Sequence, residues 1–238
     1  MTTSLTVFRY PVWAIPLAWL SMGVFRFPLW INRRIRFYKL MGCGLNGTFD
    51  KKPDLRQWAI LATHDADISP EKVSLTTLYG RIVHGWAKLF GCETYILMLE
   101  PVEGHGRWDG KEPFGNLQTK TGYDGPVAVL TRASIRLNRL TYFWRHVAPV
   151  AVQMVKAPGF LMSVGIGEVP WIKQATFSVW TSASQMKSFA YASATHAEVI
   201  RKTRKEKWYS EDMFVRFRII SSTGSLNGKN PVRDNLYI

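Results

Sequence analysis

Apolar and β-favouring residues in the second half of the chain fall into four short runs separated by two longer stretches. This spacing predicts strands near 126–134, 159–166, 173–180 and 211–221, with helices near 138–156 and 182–205. Phe177, Val179 and Trp180 favour extended backbone, and the glycines of Gly165-Ile166-Gly167 punctuate the end of the preceding strand. Ser182-x-x-Gln185 opens the second helix with a capping-box pattern, in which a serine hydroxyl and a glutamine side chain each satisfy an unpaired N–H of the first turn. In the first half the corresponding start signal is Ser69 followed by Pro70, an N-cap with proline at the first helical position.

The same pattern occurs twice. Leu5-Thr6-Val7-Phe8-Arg9 overlies Ala128-Val129-Leu130-Thr131-Arg132, and Phe37 to Gly44 overlies Phe160 to Gly167, both at an offset of 123. After a shorter loop the offset becomes 118, which places Trp58-Ala59-Ile60-Leu61-Ala62 over Thr176-Phe177-Ser178-Val179-Trp180 and Gly106 to Pro113 over Gly224 to Pro231. Repetition at constant offset marks a duplicated structural unit. Each half reads strand, helix, strand, strand, helix, strand, so the expected class is α+β with two ferredoxin-like βαββαβ repeats, which pair in a pseudo-dimeric α+β barrel. The expected divisions are an N-terminal half at 1–113, a polar, glycine-bearing linker at 114–125 and a C-terminal half at 126–238.

Composition narrows the partners. The chain has 238 residues, 47% of them hydrophobic, enough for a packed core. With 31 Lys+Arg against 17 Asp+Glu the net charge is +14, which favours an anionic partner. No RNP-like motif, zinc-finger spacing or DNA-reading helix accompanies the charge, so a nucleic acid is not expected. Cys43 and Cys92 lack CxxC spacing, which argues against a disulfide framework or zinc site and for a reducing cytoplasm. The apolar stretch from Val12 to Ile31 has about the length that crosses a bilayer (~20 residues). Pro16, Arg26 and Pro28 interrupt it, and no signal-peptide frame surrounds it. It is expected to form a buried or membrane-surface amphipathic helix.

The repeat also separates chemistry from scaffold, because a residue that the fold demands should have a similar counterpart in the other half. Cys43 pairs with Ile166 and Cys92 with Ser210, so neither reads as catalytic. None of the five histidines has a histidine counterpart: His64 faces Ser182, His84 Lys202, His105 Thr223, His146 Gly23 and His196 Leu78. No HxxxH or HxH occurs, and one histidine acting alone suits haem, whose iron needs a single axial protein ligand. His196 shares a helical stripe with Phe189 and Ile200. Such a histidine is more often a satisfied core residue than a ligand, so the stripe by itself speaks for burial. Arg201 and Arg204 lie within about two turns of it, where guanidinium groups can pair with haem propionates; the alternative is a solvated basic face, the reading kept for Lys202, Lys205 and Lys207. No dinucleotide fingerprint, P-loop or GxSxG is present. Ten tryptophans and thirteen phenylalanines fit either a wide apolar cavity for a long hydrophobic ligand or plain core packing.

The segment Gly165-Ile166-Gly167-Glu168-Val169-Pro170-Trp171, continued by Gln174 to Trp180, resembles the spheroidene monooxygenase family of carotenoid-oxidising enzymes. The likeness continues through Met186 to Tyr191, His196, Trp208 to Glu211 and Phe214 to Phe217, and it includes Thr131-Arg132-Ala133, Phe143-Trp144 and Trp58 to Thr63. Leu226 and His64 depart from the family pattern, which expects aromatic residues there. The resemblance implies a haem protein that uses dioxygen and electrons from an external donor such as ferredoxin to hydroxylate, then ketolate, an acyclic carotenoid. His196 would be the axial ligand of the haem iron, with Arg201 and Arg204 as propionate partners and Arg132, Lys173 and Gln174 as polar groups of the pocket. A membrane-dissolved substrate implies a cytoplasmic protein that touches the inner face of the membrane through residues 12–31. Rival expectations are other haem chemistry on the same scaffold, dehydratase or peroxidase-like, and a haem-free carrier of an apolar ligand.

Overall fold

The computed structural model describes residues 1–45, 47, 51–65, 68–192, 201–203 and 205–235, the side chains of 147–149 and 192 excepted. Two compact units emerge. Unit 1 comprises Met1–Cys43, Asp54–Pro101 and Ile219–Ile238; unit 2 comprises Gly44–Pro53 and Val102–Arg218. The division departs from the two sequence halves: the last strand of each repeat contributes residues to both units, and Gly44–Pro53 of the first half falls in unit 2.

In unit 1 the elements are β1 (Thr2–Arg9), α1 (Ile15–Val24), α2 (Arg26–Ile31), β2 (Ile35–Gly44), β3 (Pro53–His64), α3 (Leu75–Tyr79), α4 (Arg81–Leu89) and β4 (Glu93–Gly106). Unit 2 repeats them as β5 (Val127–Ile135), α5 (Leu140–Val155), β6 (Phe160–Val169), β7 (Lys173–Trp180), α6 (Ala183–Ala192) and β8 (Tyr209–Gly224). In unit 1, β1 lies between β3 and β4, with Thr6 opposite Ile60 and Ile96, and β2 flanks β3. In unit 2, β5 lies between β7 and β8, with Val129 opposite Ser178 and Arg216, and β6 flanks β7. Both sheets are antiparallel with the strand order of a ferredoxin-like fold. The β1–β3 and β5–β7 ladders keep the sequence offsets, whereas Arg216 stands two residues beyond the position that the 118 offset gives for Ile96. A slip of two leaves every side chain on its original face.

A turn device is also duplicated. Asp109-Gly110 and Asn227-Gly228 have positive φ at both central residues, the conformation that a two-residue hairpin turn requires and that glycine adopts without strain. Glu211 accepts the N–H groups of Asp109 and Gly110 (2.9 and 2.8 Å), and Glu93 accepts those of Asn227 and Gly228 (3.0 and 2.6 Å). Burial alone would raise both carboxyl groups, but these bonds outweigh it and hold them below the usual carboxylate range.

Three sequence expectations need correction. Ser69-Pro70 starts only a short 3-10 turn, and the Ser69 side chain caps nothing. Helix α3 begins after Ser74, whose hydroxyl accepts the Thr77 N–H at 3.1 Å. The Ser182 hydroxyl does cap Gln185, but the Gln185 side chain meets Thr181 rather than closing the box. The stretch from Val12 is not amphipathic: it is two helices, apolar on both the buried and the exposed side.

Candidate functional site

Side chains alternate across a strand, so one face of each central strand looks toward the helices. In unit 1 that face of β1 carries Phe8, and with Tyr10 just past the strand, Ile60, Ala62, Ile96, Leu78 and Phe25 it makes one continuous apolar cluster. In unit 2 the equivalent face of β5 carries Val127, Val129, Thr131, Ala133 and Ile135. Val127 and Val129 pack with Met154, Trp180 and Met186, whereas Ala133 and Ile135 pack with Phe143, Trp144 and Trp208 as a separate cluster. Thr131 stands between the two and is exposed, although it is central on the central strand. Its counterpart Phe8 is 1% exposed.

The neighbours of Thr131 continue the contrast. Phe8 lies opposite Trp58, and Thr131 lies opposite Thr176. Thr176 is buried, and its hydroxyl has no hydrogen-bond partner, an arrangement that costs stability unless a ligand supplies one. On β8, Phe214 faces Thr131 and Arg216 faces Val129. Arg216 is buried, pairs through Nη2 with Glu103 and lies 5.9 Å from the Phe214 ring, while its Nε and Nη1 have no partner. Thr131 is thus left uncovered between two apolar clusters, and the unpartnered Thr176 hydroxyl and Arg216 guanidinium N–H groups are buried close by. These residues suit a flat, largely apolar group that carries carboxylates, the description that haem meets.

The sequence-predicted site residues divide. His196 and Arg204 lie outside the described residues, and Arg201 is exposed. Lys173 and Arg132 come together, on the sheet face opposite to Thr131, around Asp109: Lys173 Nζ is 2.7 Å and Arg132 Nη2 3.3 Å from Oδ1. Arg132 also pairs with Glu211, stands 3.8 Å from Glu168 and stacks on Trp108 at 5.1 Å. Arg9, its repeat counterpart, likewise binds Asp54 at 2.9 Å and Gln57 at 3.1 Å. An ion-paired arginine at this position in both units fits a structural role, although the partners of Arg9 are not the counterparts of those of Arg132. Gln174, on the face of Thr131, donates to the Val169 carbonyl at 2.9 Å.

Among the described histidines, His146 on α5 bonds through Nδ1 to the Tyr142 carbonyl at 2.8 Å and packs on Trp208 at 5.4 Å, beside the second cluster of unit 2. That bond puts the ring proton on Nδ1 and leaves Nε2 as the free nitrogen. His84 and His105 are exposed. His64 is fully buried, bonds through Nε2 to Ser4 at 2.8 Å, and burial lowers its pKa to about 4. Tyr79 joins the same cluster, 2.9 Å from Ser4 and 2.8 Å from Thr6. Burial pushes the Cys43 and Cys92 thiols up to about 12 and about 11, which keeps both protonated at neutral pH.

Sequence reasoning missed Thr131, Thr176 and Arg216. A signal was present for the first two, since the alignment of the halves sets Phe8 over Thr131 and Trp58 over Thr176.

No family model matches the chain. Its fold resembles that of an aldoxime dehydratase in complex with butyraldoxime, with a TM-score of 0.64 at 8% identity over 98% of this chain and 84% of the other. A second aldoxime dehydratase structure gives 0.59 at 8% identity, covering 98% and 86%. Sequence relatives are nearer. Spheroidene monooxygenase of Rhodobacter capsulatus is 34% identical over 232 residues, 96% of this chain and 94% of that protein. The enzyme of Cereibacter sphaeroides is 33% identical, covering 85% of this chain and 61% of its own length, and that of Rubrivivax gelatinosus 35%, covering 82% and 72%. With that identity along almost its whole length, the chain belongs to the spheroidene monooxygenase family.

Proposed function

We propose that this chain is a cytoplasmic haem-dependent monooxygenase that hydroxylates and then ketolates an acyclic carotenoid, and that the haem lies over the unit 2 sheet, in the gap at Thr131. The observation that carries the reading is the replacement of Phe8 and Trp58 by Thr131 and Thr176 at matching positions of the duplicated fold. A protein that kept unit 2 only as scaffold would gain about 2–3 kcal/mol by filling the Thr131 position with a buried aromatic ring.

Haem iron, when bound, supplies activation of dioxygen with electrons delivered by an external donor such as ferredoxin. The chain supplies the environment. Met154, Trp180 and Met186 on one side and Phe143, Trp144 and Trp208 on the other would flank the bound group and the reacting carbon with apolar surface. Arg216 offers its unused Nε–H and Nη1–H to a carboxylate, while Glu103 keeps the guanidinium in place. The hydroxyls of Thr131 and Thr176, paired across β5 and β7, would be suited to hold a proton donor beside an otherwise apolar substrate. His196 would hold the haem iron, with Arg201 and Arg204 as further propionate partners. Arg132 and Lys173 belong to the paired scaffold cluster rather than to this site.

The test is the visible spectrum of the haem-reconstituted protein beside His196→Ala. A Soret band that is lost or strongly shifted in the variant supports the reading, and turnover must then require both dioxygen and a reductant. Turnover without either would assign dehydratase chemistry, and no haem uptake would assign a carrier of apolar ligands. Identical spectra would move the ligand to His146, whose Nε2 is available.

A further inference from the structure

The stretch Val12–Ile31 is apolar all round, yet unit 1 uses one side of it. Ala14, Ala18, Ser21, Phe25 and Leu29 recur at helical spacing and are fully buried in unit 1. The opposite side presents Trp13, Trp19, Leu20, Phe27, Trp30 and Ile31 to solvent, with Phe27 60% and Trp30 74% exposed. Edge contacts with Trp58 and Phe90 extend this surface from Trp19 and Trp13. So many large apolar side chains on one outward face mark an interaction site. A helix that is apolar on every side belongs in a core or in lipid. Here the buried stripe excludes a span, since those residues are committed to the core of unit 1. What remains is a helix with one side in protein and one side free for lipid.

The surrounding charge says which surface. No Asp or Glu occurs before Asp50, whereas Arg26, Arg33, Arg34 and Arg36 cluster at the end of the apolar stretch. Next to Ile31 a cavity of about 330 Å³ is lined by Asn32, Arg34, Thr76, Thr77 and Arg81, among others. Among the described residues neither Arg34 nor Arg81 is in an ion pair. Tryptophans with flanking arginines are the pattern of a membrane–water boundary, where the rings lie at headgroup level and the cations meet anionic lipid. A second copy of the chain fits less well, because Arg26, Arg33, Arg34, Arg36 and Arg81 border the face and the chain carries +14.

We propose that this face of unit 1 docks on an anionic lipid bilayer. Trp19, Phe27 and Trp30 enter the headgroup–acyl boundary, and Arg34 and Arg81 receive a lipid phosphate in the cavity beside them. The proposal stands independently of the haem reading, because none of these residues belongs to unit 2.

Flotation of the full chain with vesicles tests it. Vesicles of phosphatidylcholine with about one quarter phosphatidylglycerol should carry the protein to the top of the gradient, and pure phosphatidylcholine vesicles should carry much less. Phe27→Ser with Trp30→Ser should reduce the bound fraction about tenfold with an unchanged circular dichroism spectrum. Arg34→Gln with Arg81→Gln should remove the preference for anionic vesicles, and Tyr191→Ser, exposed in unit 2, should change nothing. Wild-type protein that stays at the bottom with anionic vesicles, or equal flotation of all variants, would overturn the proposal. So would a dimer in sedimentation velocity that Phe27→Ser with Trp30→Ser dissociates, which would assign the face to a second copy.

Discussion

Unit 1 and unit 2 are built on one plan and spend it differently. In unit 1, Phe8 and Trp58 lie opposite each other and help form a continuous helix-facing core; in unit 2, Thr131 and Thr176 occupy the same pair of positions and the core is divided. The polar residues are exchanged in the other direction. Unit 1 tolerates a buried Ser4–His64–Tyr79–Thr6 network where unit 2 has Val127 and Val129 for Ser4 and Thr6. What the two units share, the Arg9 and Arg132 clusters and the Glu93 and Glu211 turns, holds the fold. What they do not share includes the pair Thr131 and Thr176, where unit 2 has given up the aromatic packing that unit 1 keeps.

Substitutions that move one unit toward the other break or sharpen this contrast. The largest stability effect is expected for Phe8→Thr, which opens in unit 1 the gap that unit 2 has: chemical denaturation should show a loss of about 3–4 kcal/mol. If the contrast concerns function, this variant gains no haem uptake. Glu103→Gln should cost about 3 kcal/mol, since it leaves the buried Arg216 guanidinium without its counter-charge; a neutral result would mean that water already serves Arg216.

His64 gives unit 1 a pH signature. Burial keeps it neutral with a folded pKa of about 4 against 6.5 unfolded, so the unfolded chain binds the extra proton between these values. Its contribution is therefore fully present above pH 6.5 and is lost as the pH falls toward 4, with a slope of at most ~1.4 kcal/mol per pH unit. His64→Gln should flatten that part of the stability profile. Thr176→Val is the smallest change: removing an unpartnered buried hydroxyl should leave stability within about 1 kcal/mol of wild type, or raise it slightly.

Much of this architecture was legible in the sequence, because repeats and alternation survive divergence. The offsets placed every strand of unit 2 to within a few residues, and they set Arg9 over Arg132. The site was harder to read for a physical reason: a gap is defined by what surrounds a small residue, and sequence shows the threonine without its surroundings. Only the register reveals that Thr131 and Thr176 meet, and only burial shows that Arg216 has N–H groups to spare. Arg132 and Lys173 attracted notice as cations near a family motif, yet the carboxylates closest to them belong to Asp109 and Glu211, distant in sequence. The outward face of residues 12–31 was concealed because both of its sides are apolar.

The central claim is that the gap at Thr131 is the cofactor site, and Thr131→Phe tests it most directly. Haem titration followed at the Soret band, with thermal melts of the same samples, should show a variant at least as stable as wild type that has lost haem uptake by about a hundredfold or more, since the new ring fills the space as Phe8 does. A variant that folds normally and takes up haem with wild-type affinity would place the cofactor elsewhere and contradict the account.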